Sequence, residues 1–209
     1  MLEFHPLKQQ PASAERLVKL LQDAKAVLLQ RGMASIEDYG DMLQWGLSKE
    51  NGVWRKMHVY HPDWCSFDDR FWGTIHFHGG WIRGTILAGH LEHYTYRAEA
   101  DPAGDRFYRG QAYRLTKHTH QQPAGTTYEL PAMVPHWIRP TALTMTYFEE
   151  QETDVTSDLV NPASEETDDH RWTQAQADAL LPELLELIDA RLAKLRLVAP
   201  AQSSSSPTL

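Results

Sequence analysis

The sequence predicts an all-β core, an antiparallel barrel or sandwich, flanked by N- and C-terminal α-helices. Two observations carry this prediction. Between Gly73 and Glu149, short runs rich in β-branched and aromatic residues alternate with Gly and Pro, the texture of many short antiparallel strands. On either side of that region, apolar residues recur at the spacing of a helix buried along one face.

Taken in order, residues 13–32 read as an amphipathic helix with Leu17, Leu20, Leu21, Ala24, Val27 and Leu28 at helical spacing. Ser13 supplies a candidate N-cap and Gly32 a stop. A short second helix is expected over Ser35 to Gly46, and residues 52–68 read as loop or a first edge strand, VWRKMHVY. The strands of the core are expected in GTIHFHG, WIRGTILAG, HLEHYTYRAE, RFYRGQAYRLTK, GTTYELP and TALTMTYFEE. Residues 172–195 return to a helical pattern, with Thr173 as a cap and Pro182 expected to kink or restart it. The expected organisation is a helical extension (1–50), a barrel (51–150), an acidic linker (151–171), a C-terminal helix (172–196) and a disordered tail (197–209).

Composition narrows the classes of function. With 28 acidic against 20 basic residues the net charge is −8, and no basic stripe suggests nucleic acid as a partner. No run of eighteen apolar residues marks a membrane helix, and the N-terminus lacks a basic start followed by an apolar stretch. The expected compartment is therefore cytoplasmic. The single cysteine, Cys65, allows neither an internal disulfide nor a cysteine-based zinc site. Eleven histidines stand out, because imidazole is the commonest metal ligand.

The first chemical signal is His76-Phe77-His78. On a strand, residues two apart project to one face, the arrangement of two neighbouring metal ligands. A second such pair, His118-Thr119-His120, is placed by no motif. The second signal is the run Gly125 to His136, a strand and a tight turn leading to a histidine.

Together these blocks resemble the two motifs of the cupin superfamily, G-x5-H-x-H-x(3,4)-E-x6-G and G-x5-P-x-G-x2-H-x3-N. The first matches at His76, His78 and Gly89, and departs at Arg70 (Gly in the family) and Ile82 (Glu). The second matches at Gly125, Pro131 and His136, and departs at Met133 (Gly) and Pro140 (Asn). The resemblance spans about 70–149 and implies a cupin-type antiparallel β-barrel or jelly roll holding one divalent metal through His76, His78 and His136. Cupins often pair barrels through an edge strand, which implies a homodimer.

With Ile82 where the family has its acidic ligand, the implied site is three histidines. Neutral nitrogen ligands suit Fe, Zn, Ni or Cu better than Mg or Ca. Within the cupins such sites resemble those of thiol dioxygenases and of some diketone-cleaving dioxygenases. Trp81 and Gly89 fill two further places of the thiol dioxygenase pattern, whereas of its last-strand Ser-x-His-x-Tyr run only Tyr147 is kept. The resemblance thus implies a non-heme Fe(II) dioxygenase acting with O2 on a small, thiol-bearing carboxylate. Two other readings stay open: a non-redox lyase or isomerase using Zn, Ni or Mn, and a non-catalytic small-ligand-binding barrel. Candidate catalytic residues are Tyr147, Tyr128 and Glu92; candidate substrate-binding residues are Arg83, which could clamp a carboxylate, and Trp81. His90 and His93 flank Glu92 on opposite faces of their strand, so at most one of them faces the site.

Overall fold

The computed structural model describes residues 7–33, 37–38, 42–62, 75–104, 106–108, 110–155 and 173–198. Cys65, Arg70, most of the acidic linker and nearly all of the tail lie outside them. The helix read over 13–32 is α1 (Ala14–Arg31). Ser13 Oγ accepts from the Arg16 amide at its start, and Gly32, at φ 58°, donates its amide hydrogen bond to the Leu28 carbonyl at its end. The C-terminal pattern is α2 (Gln174–Val198), opened by a reciprocal cap between Thr173 and Gln176.

Pro182 neither restarts nor breaks α2. It sits on the exposed face, where water can solvate the carbonyl it leaves unpaired. Leu180, Leu184, Ile188, Leu192 and Leu195 meanwhile keep one continuous buried stripe on both sides of it.

Between the helices run β1 (Lys8–Pro11), β2 (Glu37–Asp38), β3 (Leu43–Glu50), β4 (Val53–Tyr60), β5 (Ile82–Ala88) and β6 (His90–Ala100). They are followed by β7 (Arg106–Tyr108), β8 (Gln111–Pro123), β9 (Thr126–Leu130), β10 (His136–Pro140) and β11 (Thr144–Gln151). They pair antiparallel into a seven-stranded sheet, β1-β9-β5-β11-β4-β3-β2, and a four-stranded sheet, β10-β6-β8-β7. This is the expected all-β jelly-roll barrel with flanking helices.

Four local expectations are corrected. The helix expected over Ser35–Gly46 is replaced by β2 and β3, in which Leu43 and Trp45 bury toward the helices while Gln44 turns inward, a period of two. The hairpin joining β3 to β4 turns on Asn51-Gly52, both at positive φ, so three strands precede residue 51. VWRKMHVY is β4 to the residue, but it is an interior strand between β3 and β11. GTIHFHG contributes among its described residues a single bridge, His76 to His136, and the histidine that ends the second motif opens strand β10.

The large sheet is buried on both faces. Met57, Val59, Leu87 and Met145 pack against α1 and α2. Ile82, Ile86, Tyr128, Leu130 and Phe148 point the other way, toward Leu91 of the small sheet. A third cluster, Ile75, Phe77, Tyr94 and Tyr96, covers the outer face of the small sheet. The interior between the sheets therefore collects Lys56, His58, Phe148 and Glu150 from one side and His93, Thr95 and His136 from the other.

Candidate metal centre

Three histidines converge at one end of that interior. His136 opposes Thr95 on β6 and exchanges backbone bonds with His76, at 3.0 Å (His76 N to His136 O) and 2.7 Å (the reverse). Residues facing each other across such a bridge put their side chains on one face, and the two rings lie 4.4 Å apart. His78 adds its ring 5.1 Å from His76 and 5.2 Å from His136. One nitrogen of each falls within 4.8 Å of the others.

The backbone around them is tightly seated. The His78 carbonyl accepts from the Met133 amide at 2.9 Å. A Cβ on Gly79 would sit 2.1 Å from the Val155 carbonyl, and one on Gly80 would sit 2.4 Å from that of Gln151. Met133 stands where the family motif has Gly, and its φ of 64° explains the preference: the turn demands the left-handed region. Its side chain is exposed, so little packing is at stake. Met133→Gly is expected to raise stability by about 0.5–1 kcal/mol in urea unfolding; a loss of stability would show that the turn is relaxed with a side chain present.

The outer nitrogens of two rings are fixed. His136 Nδ1 donates to the Val134 carbonyl at 3.2 Å, leaving Nε2 as the lone-pair nitrogen. His78 Nδ1 meets Glu150 Oε1 at 2.5 Å, which likewise turns its Nε2 toward the trio. Lys56 Nζ holds the other Glu150 oxygen at 2.8 Å. Burial pushes the Glu150 carboxyl up, but the hydrogen bonds and charges of His78 and Lys56 outweigh it and hold it at about 2. Burial, with neighbouring His76, His93 and His78, keeps His136 well below the usual histidine range and therefore neutral. Glu150 directly opposes Ile82 across the β5–β11 ladder. A carboxylate thus enters the site one strand away from the position where the motif expects it.

The trio borders two spaces. An inner cavity of about 250 Å³ is lined by Met42, Gln44, His58, Tyr60, Tyr128 and Phe148, among others. An outer cleft of about 580 Å³ opens past Trp54 and Thr153. Lys56, His76, His78 and Glu150 line both, so the centre lies on the wall between the interior and the outer cleft. Deeper in the cavity His58 is bracketed by Tyr60 Oη at Nδ1 and Gln44 Oε1 at Nε2, each at 3.0 Å. Burial, with Lys56 and His78, lowers its pKa to about 3.

Of the other expected site residues, Tyr128 is placed in the cavity wall, its ring packed edge-on against His93 at 4.9 Å. Gly84 opposite makes room for it, since a Cβ there would sit 2.2 Å from that ring. The remaining expectations are corrected by strand parity. Tyr147 turns to the helix side with Met145. Arg83 lies on that same side of β5, paired with Glu129 at 2.7 Å and Glu149 at 3.6 Å, with its guanidinium 5.6 Å over Trp81. Neither Arg83 nor Trp81 lines the cavity. Glu92 points to the outer face of the small sheet, where Tyr94 and Gln121 bond it.

His93 does face inward, fully buried and 5.2 Å from the His136 ring, whereas His90 bonds Thr141. His120 bonds Thr95 Oγ1 at 3.1 Å. The sequence reading missed Glu150, Lys56, His58 and Gln44. The alternation of Lys56, His58 and Tyr60 along β4 was the available signal, since residues two apart share a face.

No family model matches the sequence, and no curated protein is detectably similar to it. Solved structures with a related arrangement include a cupin superfamily protein from Desulfitobacterium hafniense DCB-2, at 11% identity over 54% of this chain and 78% of that one, TM-score 0.36. KdgF from Halomonas sp. aligns at 9% identity over 59% and 94%, TM-score 0.37. HEPD of Streptomyces albus, solved with 2-hydroxyethylphosphonate and Fe(II), aligns at 7% identity over 58% of this chain and 25% of that one, TM-score 0.38.

Proposed function

We propose that this chain is a metal-dependent enzyme in which His76, His78 and His136 hold one divalent ion, and that with Fe(II) it acts as a dioxygenase on a small carboxylate, a thiol carboxylate being the first candidate. The observation that carries this reading is the convergence of three imidazole nitrogens within 4.8 Å on a cavity wall, with no carboxylate joining them among the described residues. Two of those rings already point Nε2 inward because their Nδ1 atoms are engaged. Such a donor set fits Fe, with Zn, Ni and Mn as alternatives, and leaves the other positions to substrate.

Bound there, Fe(II) would supply a redox centre and a template for substrate and O2. The chain's own part is orientation and charge. Glu150 fixes the His78 ring, and Lys56 neutralises Glu150, so the cavity has no net negative charge to repel a carboxylate. Phe148 and Met42 give the cavity an apolar wall beside those polar groups. The non-redox reading has lost two of its three candidate bases, Tyr147 and Glu92, and keeps only Tyr128.

The test is O2 uptake by iron-loaded protein with a panel of thiol and hydroxy carboxylates, run beside elemental analysis of protein purified without added metal. Uptake matching substrate consumed is the expected result. Zinc as the resident metal, with turnover indifferent to O2, would replace the dioxygenase with the non-redox enzyme.

A further inference from the structure

The inner cavity has a hydrogen-bond donor that the three-histidine reading does not use. Tyr128 is buried, at 3% exposure, and stands in the cavity wall. Its ring is fixed from two sides. His93 packs edge-on against it at 4.9 Å, and its hydroxyl oxygen lies 2.4 Å from where a Cβ on Gly84 would be. Among the described residues that hydroxyl has no hydrogen-bond partner, and burial alone raises its pKa. A buried hydroxyl without a partner works against the fold, so one held firmly at a cavity wall points to what fills the cavity.

Strand register sets this donor across from a charge. Tyr128 on β9 pairs with Gly84 on β5, Gly84 with Phe148 on β11, and Phe148 with Lys56 on β4, so the four form one row across the large sheet. Because Gly84 has no side chain, the Tyr128 hydroxyl reaches over β5. From there to β4 is two strand spacings, about 10 Å. Lys56 Nζ gives one hydrogen bond to Glu150 Oε2, at 2.8 Å, and an ammonium has further hydrogens to give. The row therefore runs from a neutral donor, over the apolar ring of Phe148, to a cation that lines the same cavity as the metal trio.

Building on the metal-centre reading, we propose that the cavity takes a short acid with a second oxygen: the carboxylate between the metal and Lys56, the chain across Phe148, and a carbonyl that accepts from the Tyr128 hydroxyl. A hydrogen bond of roughly 3 Å at each end leaves about 4 Å between the ligand's two oxygens, the reach of a 4-oxo acid. The head is selected by charge, since neutral imidazoles leave a divalent ion's charge to be balanced by its exogenous ligands. The far oxygen is selected by the phenol. An apolar tail there would leave the hydroxyl unpaired, and a second carboxylate would bury a charge beside a neutral group. Tyr128 is then a specificity-determining residue.

Cobalt(II)-loaded protein tests this without O2 chemistry, because the cobalt visible spectrum reports a ligand entering the metal's shell. The probes are two matched pairs, 4-oxopentanoate with pentanoate and 5-oxohexanoate with hexanoate. At least one oxo acid is expected to bind roughly tenfold tighter than its partner. In Tyr128→Phe that preference should fall to about one, with the unliganded cobalt spectrum and the pentanoate affinity retained. Lys56→Met should weaken both members of a pair alike and leave the preference in place. The melting temperature of ligand-free Tyr128→Phe should equal or exceed that of wild type, because the hydroxyl it removes is unpaired; a purely structural hydroxyl would lower it.

Equal affinities within both pairs, a preference that survives Tyr128→Phe, or affinities that Lys56→Met leaves unchanged would overturn the inference while the metal centre stands. So would a Tyr128→Phe chain that melts several degrees lower or does not fold, since its hydroxyl would then be engaged without any ligand. A wild-type chain that takes up no cobalt would be a different failure, that of the metal centre itself, and the inference would fall with it.

Discussion

His136→Ala is expected to abolish metal binding, together with the share of stability that the metal provides. The ring is the hub of the trio: it lies within 4.4 Å of His76 and 5.2 Å of His78 by ring centres. Its Nδ1 bond to Val134 commits Nε2 to the site. An ion at a hundred times its dissociation constant adds about 2.7 kcal/mol to the folded state, which for a chain of this size is a rise of roughly 5–10 °C in Tm. Differential scanning calorimetry with and without a chelator should show that rise in the wild-type protein and none in the variant. The metal-free Tm should change less, since the backbone bridge to His76 does not need the ring. A variant that still gains several degrees from metal would exclude His136 as a ligand.

Glu150→Gln tests the support of the site and carries the next largest effect. The amide keeps the shape of the carboxylate and can still accept from His78 Nδ1, but it brings no charge. The imidazole becomes a weaker donor, and Lys56, which now bonds Glu150 Oε2 at 2.8 Å, loses its anion. Losing such a partner lowers metal affinity by about 10–100-fold. Competition for Zn(II) against a chromophoric chelator measures it directly. An affinity within twofold of wild type would mean that Glu150 serves only the ion pair with Lys56.

Much of the fold was legible before any coordinates. The stripe of α1, its two caps, the Thr173–Gln176 cap of α2 and the exact extent of β4 follow from local rules of spacing and hydrogen-bonding chemistry. The motif glycines were legible too, and the structure gives their reason: Gly89 and Gly125 sit at φ 81° and 96°. The Asn51-Gly52 hairpin was written just as plainly, but reading residues 35–46 as helix hid the strand on its near side. Pro182 misled in the opposite direction, because a proline on a solvated face costs a long packed helix one bond and not its continuity.

The sequence by itself determined the class of fold and the three histidines, because strand texture, helical spacing and a two-block motif are properties of short stretches of chain. Which of the surrounding side chains enter the site was decided only in three dimensions. Alternation along a strand separates two faces, but it names the inner one only when the other is wet, and here the large sheet is dry on both sides. Tyr147 and Glu150 share one strand and lie on opposite faces of it. It took the helices packed over Met145 and Tyr147 to send Glu150 to His78.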